Sequence, residues 1–158
     1  MLIKPVSEHR WLLQLVGDWS FISDCLMAPD QERQTFRGDE QVRPLGDIWI
    51  IAEGRTVTGE QVLQSRMTLG FDVVRNHFTG TWVDSMMPVL WVYHGFRDET
   101  GMSLVLESEG PSYEKEGRMT RYRDIITLEN DNARSMRSFI LLENGRWREF
   151  VVMSYQRK

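Results

Sequence analysis

Short stretches with the pattern of β-strands, separated by turn residues, follow one another along almost the whole chain. The predicted strands span residues 17–27, 31–43, 47–52, 62–71, 78–86, 89–96, 103–109, 119–129, 135–143 and 147–156. Turn-forming residues lie between them, among them Ala28-Pro29-Asp30 and Asn144-Gly145. The second of these is the strongest hairpin signal and predicts a type I′ turn, which needs positive φ at both positions. Because the connections are short, neighbouring strands are expected to pair antiparallel.

About ten short antiparallel strands are typical of a sandwich or a barrel. A barrel is favoured, because closure removes the edge strands. Strands that are apolar on one face and charged on the other also suit a partly filled interior. We therefore predict an all-β protein: a single up-and-down antiparallel barrel domain over residues 1–158. A closed barrel of this size has room for one small ligand.

One helix is predicted, at the N-terminus. Pro5 fixes φ in its lead-in, and Ser7 can accept hydrogen bonds from the first free amides. Apolar residues between positions 12 and 16 form one stripe, and Gly17 is suited to a left-handed C-cap. A helix of about ten residues is too short to be stable alone, so it must pack on the barrel.

Composition narrows the class of protein. The 158 residues are 41% hydrophobic, which supports a real core, and carry a net charge of -4, which provides no general attraction to nucleic acid. The one cysteine, Cys25, cannot form an internal disulfide. No apolar run has the length of roughly 18 residues that a membrane helix needs, and no signal-peptide pattern begins the chain. We expect a cytoplasmic protein with neither a nucleic-acid nor a membrane partner.

The junction of the helix and the first strand carries a resemblance. Leu15-Val16-Gly17-Asp18-Trp19 resembles the Gly-x-Trp start of the first strand in calycins, the group that holds lipocalins and fatty-acid-binding proteins. The resemblance implies that Trp19 packs under the N-terminal lead-in. It also implies that a basic residue of the last strand, here Arg157, crosses the tryptophan. We assign Trp19 and Arg157 to structure.

Three further segments, 67–72, 78–86 and 154–158, resemble the bacterial family "domain of unknown function 1579", a calycin-like group. The Thr-Trp-Val-Asp-Ser-Met segment at 81–86 is the most specific part. The resemblance implies a fold and brings no agreed substrate or catalytic residues. The related nitrobindins hold haem through a histidine near the C-terminus, whereas this chain has only His9, His77 and His94. We therefore predict no haem and no other cofactor.

Several side chains are candidates for the inside of the barrel. Trp82, Asp84 and Met86 share one strand face, where an indole and a thioether would partly desolvate the carboxylate and raise its pKa. Arg121 and Arg123 share a face of their strand, which lies either inside, orienting a ligand, or outside in solvent. The predicted cavity-lining residues are Trp49, Arg66, Trp82, Asp84, Met86, Trp91, Tyr93 and Arg123.

Three functions fit these residues. The preferred one is binding of a small apolar or amphipathic ligand, with Arg123 pairing an anionic end. The second is an enzyme in which Asp84 or a glutamate acts as general base, with His94 or an arginine as electrostatic partner. Asp84 and His94 are only weak catalytic candidates. The third is a structural or homodimeric barrel with a filled interior, joined through a sheet face or the edge of the polar strand at 31–41. The three histidines have no ligand-like spacing, so no metal site is predicted.

Overall fold

The computed structural model describes residues 3–26 and 30–158. One short helix, α1 (Ser7–Leu13), precedes ten strands. The strands are β1 (Gly17–Cys25), β2 (Gln34–Leu45), β3 (Trp49–Thr58), β4 (Gln61–Asp72), β5 (His77–Asp84), β6 (Met87–Arg97), β7 (Ser103–Pro111), β8 (Met119–Asn130), β9 (Ala133–Leu141) and β10 (Trp147–Arg157).

The ten strands form one closed antiparallel barrel, which confirms the predicted fold class. Strands that follow one another in the chain are neighbours, and β1 closes the barrel by pairing with β10 from Trp19↔Arg157 to Cys25↔Val151. The polar strand β2 is hydrogen-bonded to β1 on one side and to β3 on the other. The edge suggested for dimerisation through residues 31–41 is therefore already occupied within the barrel.

The strand bounds differ from the predicted ones mainly around the turns. β2 continues through Pro44 to Leu45, and β3 begins at Trp49 and runs on to Thr58. The predicted first strand reached residue 27. Its last residue and the first two residues of the predicted Ala28-Pro29-Asp30 turn lie outside the described part of the chain.

The hairpin at Asn144-Gly145 forms, but with a different turn type. The Leu142 amide donates to the Arg146 carbonyl oxygen at 2.9 Å, so three residues form the loop. Positive φ occurs at Gly145 (81°) and not at Asn144, whose side-chain Oδ1 instead accepts from the Arg146 amide at 2.9 Å. A three-residue loop with a left-handed glycine thus replaces the predicted type I′ turn.

The helix is shorter than predicted and is capped by a histidine. The Val6 amide donates to His9 Nδ1 at 3.0 Å, while the Ser7 hydroxyl bonds to Glu8. Because His9 Nδ1 is an acceptor, Nε2 carries the proton and donates to the Phe71 carbonyl oxygen at 3.1 Å, which ties α1 to β4. Gly17 is the first residue of β1 rather than a helix cap.

Trp19 closes the base of the barrel. Its Nε1 donates to the Leu15 carbonyl oxygen at 2.9 Å, and the Arg157 guanidinium lies 4.2 Å from the ring centroid. Arg157 also donates to the carbonyl oxygens of Val16 (2.7 Å) and Gln14 (3.2 Å). A Cβ on Gly17, where φ is 145°, would stand 2.2 Å from Arg157 Nη1. The glycine therefore provides both the backbone conformation and the space for this arginine.

The half of the barrel nearest the helix is filled with apolar side chains. Inward-facing residues alternate with outward-facing ones along each strand. The most deeply buried ones in this half are Trp19, Val42, Ile50, Leu69, Phe78, Leu104, Leu106 and Ile126.

One ion pair is buried inside this half. Arg134 of β9 pairs with Glu40 of β2, and their side chains are only 4% and 6% exposed. The Arg134 guanidinium lies 3.7 Å from the centroid of the Tyr155 ring and 4.7 Å from that of Trp19. The pair therefore joins three strands and the base tryptophan across the barrel.

We expect Glu40→Gln to lower the free energy of unfolding by about 3–5 kcal/mol, because it leaves the Arg134 charge buried without a counterion. Glu53→Gln is the control. It breaks an ion pair with Arg66 whose side chains are about half exposed, and such a pair contributes about 0–1 kcal/mol. Urea denaturation of both variants measures the difference; equal losses would contradict the role of the buried pair.

Candidate functional site

The half of the barrel away from the helix encloses a cavity of about 350 Å³. Its mouth lies at the end of the barrel where β5 turns into β6. The wall is mostly aromatic and thioether, formed by Phe21, Phe36, Trp82, Met86, Trp91, Tyr122, Met136, Phe150 and Met153. Small hydroxyl residues, Ser23, Thr56, Ser65, Ser108 and Ser138, also line it. The cavity exists because these short side chains occupy positions where the other half has leucine, isoleucine and phenylalanine.

Trp91 lies where two neighbouring strands separate. The ladder between β6 and β7 spans residues 94–97 and 104–107, and the Trp91 ring lies beyond it against Gly110. A Cβ on Gly110 would stand 2.0 Å from that ring, so glycine is required for this contact. The ring also packs edge-to-face on Tyr122, with 4.7 Å between centroids. An aromatic side chain thus covers the side of the cavity where the backbone ladder ends.

Asp124 of β8 is an acidic group in the cavity wall. The Tyr93 hydroxyl donates to its Oδ2 at 2.6 Å, and the Ser138 hydroxyl is a second hydrogen-bond partner. Burial raises the pKa of Asp124, while the hydrogen bonds from Ser138 and Tyr93 act in the opposite direction. Burial, followed by the charge of Asp124, raises the pKa of Tyr93 well above its ordinary value. Among the described residues no basic side chain forms an ion pair with Asp124.

Five of the predicted lining residues line this cavity: Trp82, Asp84, Met86, Trp91 and Tyr93. Asp84 lies at the mouth, where its carboxylate accepts from the Trp82 indole (3.2 Å) and from the amides of Met86 (2.7 Å) and Met87 (3.2 Å). These bonds hold the turn between β5 and β6. Whether any of the five binds a ligand stays a prediction.

The other three predicted lining residues lie on the outer surface of the barrel. Trp49 faces outward against Gly70, and Arg66 pairs with Glu53. Arg123 pairs with Glu107 at 2.7 Å and lies 4.4 Å from the centroid of the Trp147 ring. The expectation that Arg123 reaches an anionic ligand end inside the barrel is therefore wrong.

The structure also separates the two weak catalytic candidates. His94 has the outward phase of β6, opposite Thr79 and Glu107, and its ring stacks on His77 with 4.1 Å between centroids. Asp84 faces the cavity. The suggested pairing of Asp84 with His94 therefore does not occur.

Asp124 and Tyr122 were missing from the predicted lining residues, although the sequence carries a signal for both. Tyr122, Asp124, Ile126 and Leu128 alternate along β8, so the inward face is apolar except for one carboxylate. The sequence alone leaves the opposite face, with Arg121 and Arg123, either inside the barrel or outside in solvent. A shift of one residue exchanges the two faces of a strand.

No metal site or membrane helix is present among the described residues. No group of three or more histidine, cysteine, aspartate or glutamate side chains in 3–26 and 30–158 could hold a metal ion. Over the same residues, no helix has the length and apolarity needed to cross a membrane.

Comparison with known proteins gives a family and a fold. The family described as "Protein of unknown function (DUF1579)" matches residues 4–157. No curated protein sequence matches the chain.

Solved structures of distant sequence share the barrel. The S-type phycobiliprotein lyase CPES from Guillardia theta is 13% identical, with a TM-score of 0.64 and 98% of each chain covered. Rv2717c from M. tuberculosis is 12% identical, with a TM-score of 0.67 and coverage of 98% and 99%. A redesigned β-barrel is 11% identical, with a TM-score of 0.51 and coverage of 94% and 96%. At these identities the likeness shows the fold alone.

Gly110→Ala is expected to lower the free energy of unfolding by about 1–3 kcal/mol, because the new methyl group overlaps the Trp91 ring. Adding Trp91→Leu removes the overlap, so the double variant should lose less than the sum of the two single losses. Urea denaturation of the single and double variants gives this coupling. Strictly additive losses would mean that the ring does not depend on Gly110.

Asp124→Asn is expected to stabilise the protein at pH 7 and to have little effect near pH 3.5. Because the folded-state pKa of Asp124 is raised, the stability of the unmodified protein falls as pH rises from the ordinary carboxyl value of 3.8 through the folded pKa. Because asparagine does not ionise, Asp124→Asn does not lose stability in this way as the pH rises. Thermal unfolding measures the effect, at about 2–4 °C for each kcal/mol.

Glu107→Gln is the control, and the change in stability expected for it at pH 7 has the opposite sign. The hydrogen bond from Arg123 lowers the pKa of Glu107, so its contribution is present at pH 7 and lost as pH falls below its ordinary value of 4.5. This variant should be destabilised at pH 7. If Asp124→Asn were also destabilised at pH 7, the claim that the unpaired charge of Asp124 lowers the stability of the folded protein would be refuted.

Proposed function

Because the chain belongs to the DUF1579 family of proteins of unknown function, we propose its function from the barrel itself: it binds a small, mainly apolar or amphipathic molecule in the cavity. The observation that carries this proposal is the contrast between the two halves of the barrel. One half is filled with buried aliphatic and aromatic side chains, while the other keeps about 350 Å³ open.

The size and chemistry of the cavity support a small ligand. Small-molecule sites commonly measure roughly 300–1,000 Å³ and have apolar walls with a few polar groups, which describes this cavity. Tryptophan and tyrosine offer large rigid surfaces, and the flexible side chains of Met86, Met136 and Met153 can adapt to the shape of a ligand. An empty apolar cavity costs stability, so its retention fits a binding role better than a structural one.

An enzyme is the second candidate, and one observation favours it. The Asp124 carboxyl, with its raised pKa, lies 2.6 Å from the Tyr93 hydroxyl in the cavity wall, a setting suited to proton transfer. One structure with a similar barrel is named a lyase. Recovery of the bound molecule unchanged after incubation would favour binding, whereas its conversion would favour catalysis.

The proposed partner is the small ligand alone, in a bacterial cytoplasm. The acidic balance of the chain and its single cysteine fit this setting. The homodimer remains an alternative in which an outer sheet face forms the contact.

We expect the neutral dye N-phenylnaphthylamine to bind the protein with increased fluorescence, and Ser23→Phe to weaken that binding at least about tenfold. Ser23 is buried and lines the cavity, so a phenyl ring there occupies part of the ligand space. Ser20→Phe is the matched control, because Ser20 faces outward on the same strand. Fluorescence titration measures both affinities, and circular dichroism checks that both variants fold.

Equal dye affinity in the two variants would mean that the dye binds outside the barrel. Native mass spectrometry of the purified protein adds a measurement without mutation. A co-purifying small molecule that is released on denaturation supports the proposal. An apo protein that also fails to bind the dye would overturn it.

A further inference from the structure

The cavity holds one carboxylate with unused hydrogen-bonding capacity. A carboxylate can accept about four hydrogen bonds, and Asp124 accepts them from two hydroxyl groups, those of Tyr93 and Ser138. Because the residue lines the cavity, we expect its remaining acceptor positions to be accessible to a ligand there.

The other acidic groups near the ligand space already have partners. Glu40, in the filled half, is neutralised by Arg134. Asp84, at the mouth, accepts three hydrogen bonds from its own turn. Among the described residues that line the cavity, Asp124 is thus the acidic group whose charge has no assigned counterpart.

Building on the proposed ligand-binding function, we propose that the polar end of the ligand is a protonated amine or a similar cationic N–H donor, and that Asp124 binds it inside the barrel. A cationic N–H group and a carboxylate form a charge-assisted hydrogen bond, which is stronger than a neutral one. The apolar part of the ligand then lies against the aromatic wall around Trp82 and Trp91.

The aromatic residues of the wall support the same ligand class. The faces of tryptophan and tyrosine rings attract cations, and Trp91 and Tyr122 lie in contact at the side of the cavity. An anionic ligand end would meet like charge at Asp124, and Arg66 and Arg123 lie outside the barrel. Arg55 is among the lining residues, but it is exposed and has the outward phase of β3. We therefore expect the cavity to bind carboxylate ligands more weakly than amines.

The titratable groups around Asp124 define its pH dependence. Tyr93 of β6 is its hydrogen-bond donor, and Tyr155 of β10, two strands away, faces the same interior beside Glu40 and Arg134. Both phenols have raised pKa values, and Tyr122, next to the cavity, has a pKa of about 12. The phenols therefore remain neutral between pH 4 and 8, where an alkylamine stays protonated. Protonation of Asp124 as the pH falls is therefore the change expected to weaken amine binding.

Three probes with one alkyl chain test the proposal: n-octylamine, n-octanol and octanoate. Calorimetry or displacement of N-phenylnaphthylamine gives their affinities at pH 7. We expect the amine to bind about tenfold more tightly than the alcohol, and the acid to bind most weakly. In Asp124→Asn the preference for the amine should disappear while the affinity for the alcohol stays within about twofold.

Glu107→Gln is the matched control, since it changes net charge equally on the outer face of the adjacent strand. It should retain the preference for the amine. A measurement on the unmodified protein avoids any folding defect: amine affinity should fall as pH is lowered from 7 to 4, while alcohol affinity stays constant.

Two outcomes would overturn the inference while leaving ligand binding intact. One is equal affinity for amine and alcohol in the unmodified protein. The other is loss of the preference in Asp84→Asn instead of Asp124→Asn, which would place the amine at the mouth. Failure of all three probes and of the dye would instead refute the proposed binding function itself.

Discussion

The barrel depends on the contact between the Trp19 ring and two guanidinium groups. Arg157, from the last strand, and Arg134, from the strand before it, both lie over this ring, and the indole nitrogen bonds to the segment that follows the helix. One aromatic side chain therefore connects the segment after α1 with β1, β9 and β10. Because β1 and β10 close the barrel, this contact lies where closure brings together the two ends of the chain. Glu40 extends the cluster to β2 by neutralising the inner arginine.

This cluster also explains why the cavity occupies only one half of the barrel. The helix end contains a buried charge pair, whose attraction offsets the cost of burial only when its geometry is closely held. Arg134 Nε has no hydrogen-bond partner among the described residues, so the pair depends on tight packing. Large aliphatic side chains around Trp19 provide that packing. Serine, threonine and glycine at equivalent inward positions of the other half leave space, and aromatic rings surround it. The same strands are thus tightly packed at the base of the barrel and leave open space at its mouth.

The sequence predicted the strand count, the order and the closure, because alternation and turn chemistry are local signals. It was less informative about which face of a strand points inward. For β5 and the turn after it the apolar phase was evident, and Trp82, Asp84 and Met86 line the cavity. In β8 both faces of the strand carry charged residues, and the face with the arginines lies outside the barrel. The choice between them depends on pairing with β7 and β9, which is a long-range property. The position of Trp91 likewise depends on Gly110, nineteen residues away.

The position of Asp124, which is half-buried in the cavity wall, is best understood together with that of the buried Glu40. Both carboxylates lie inside the same barrel, yet Glu40 is matched by an arginine and Asp124 by two hydroxyl groups. A half-buried charge without a counterion lowers stability, and a barrel selected for stability alone would have an asparagine or an apolar residue there. The matched carboxylate lies in the filled half and the unmatched one in the wall of the open half. Their different positions support the assignment of one to folding and the other to recognition of a ligand.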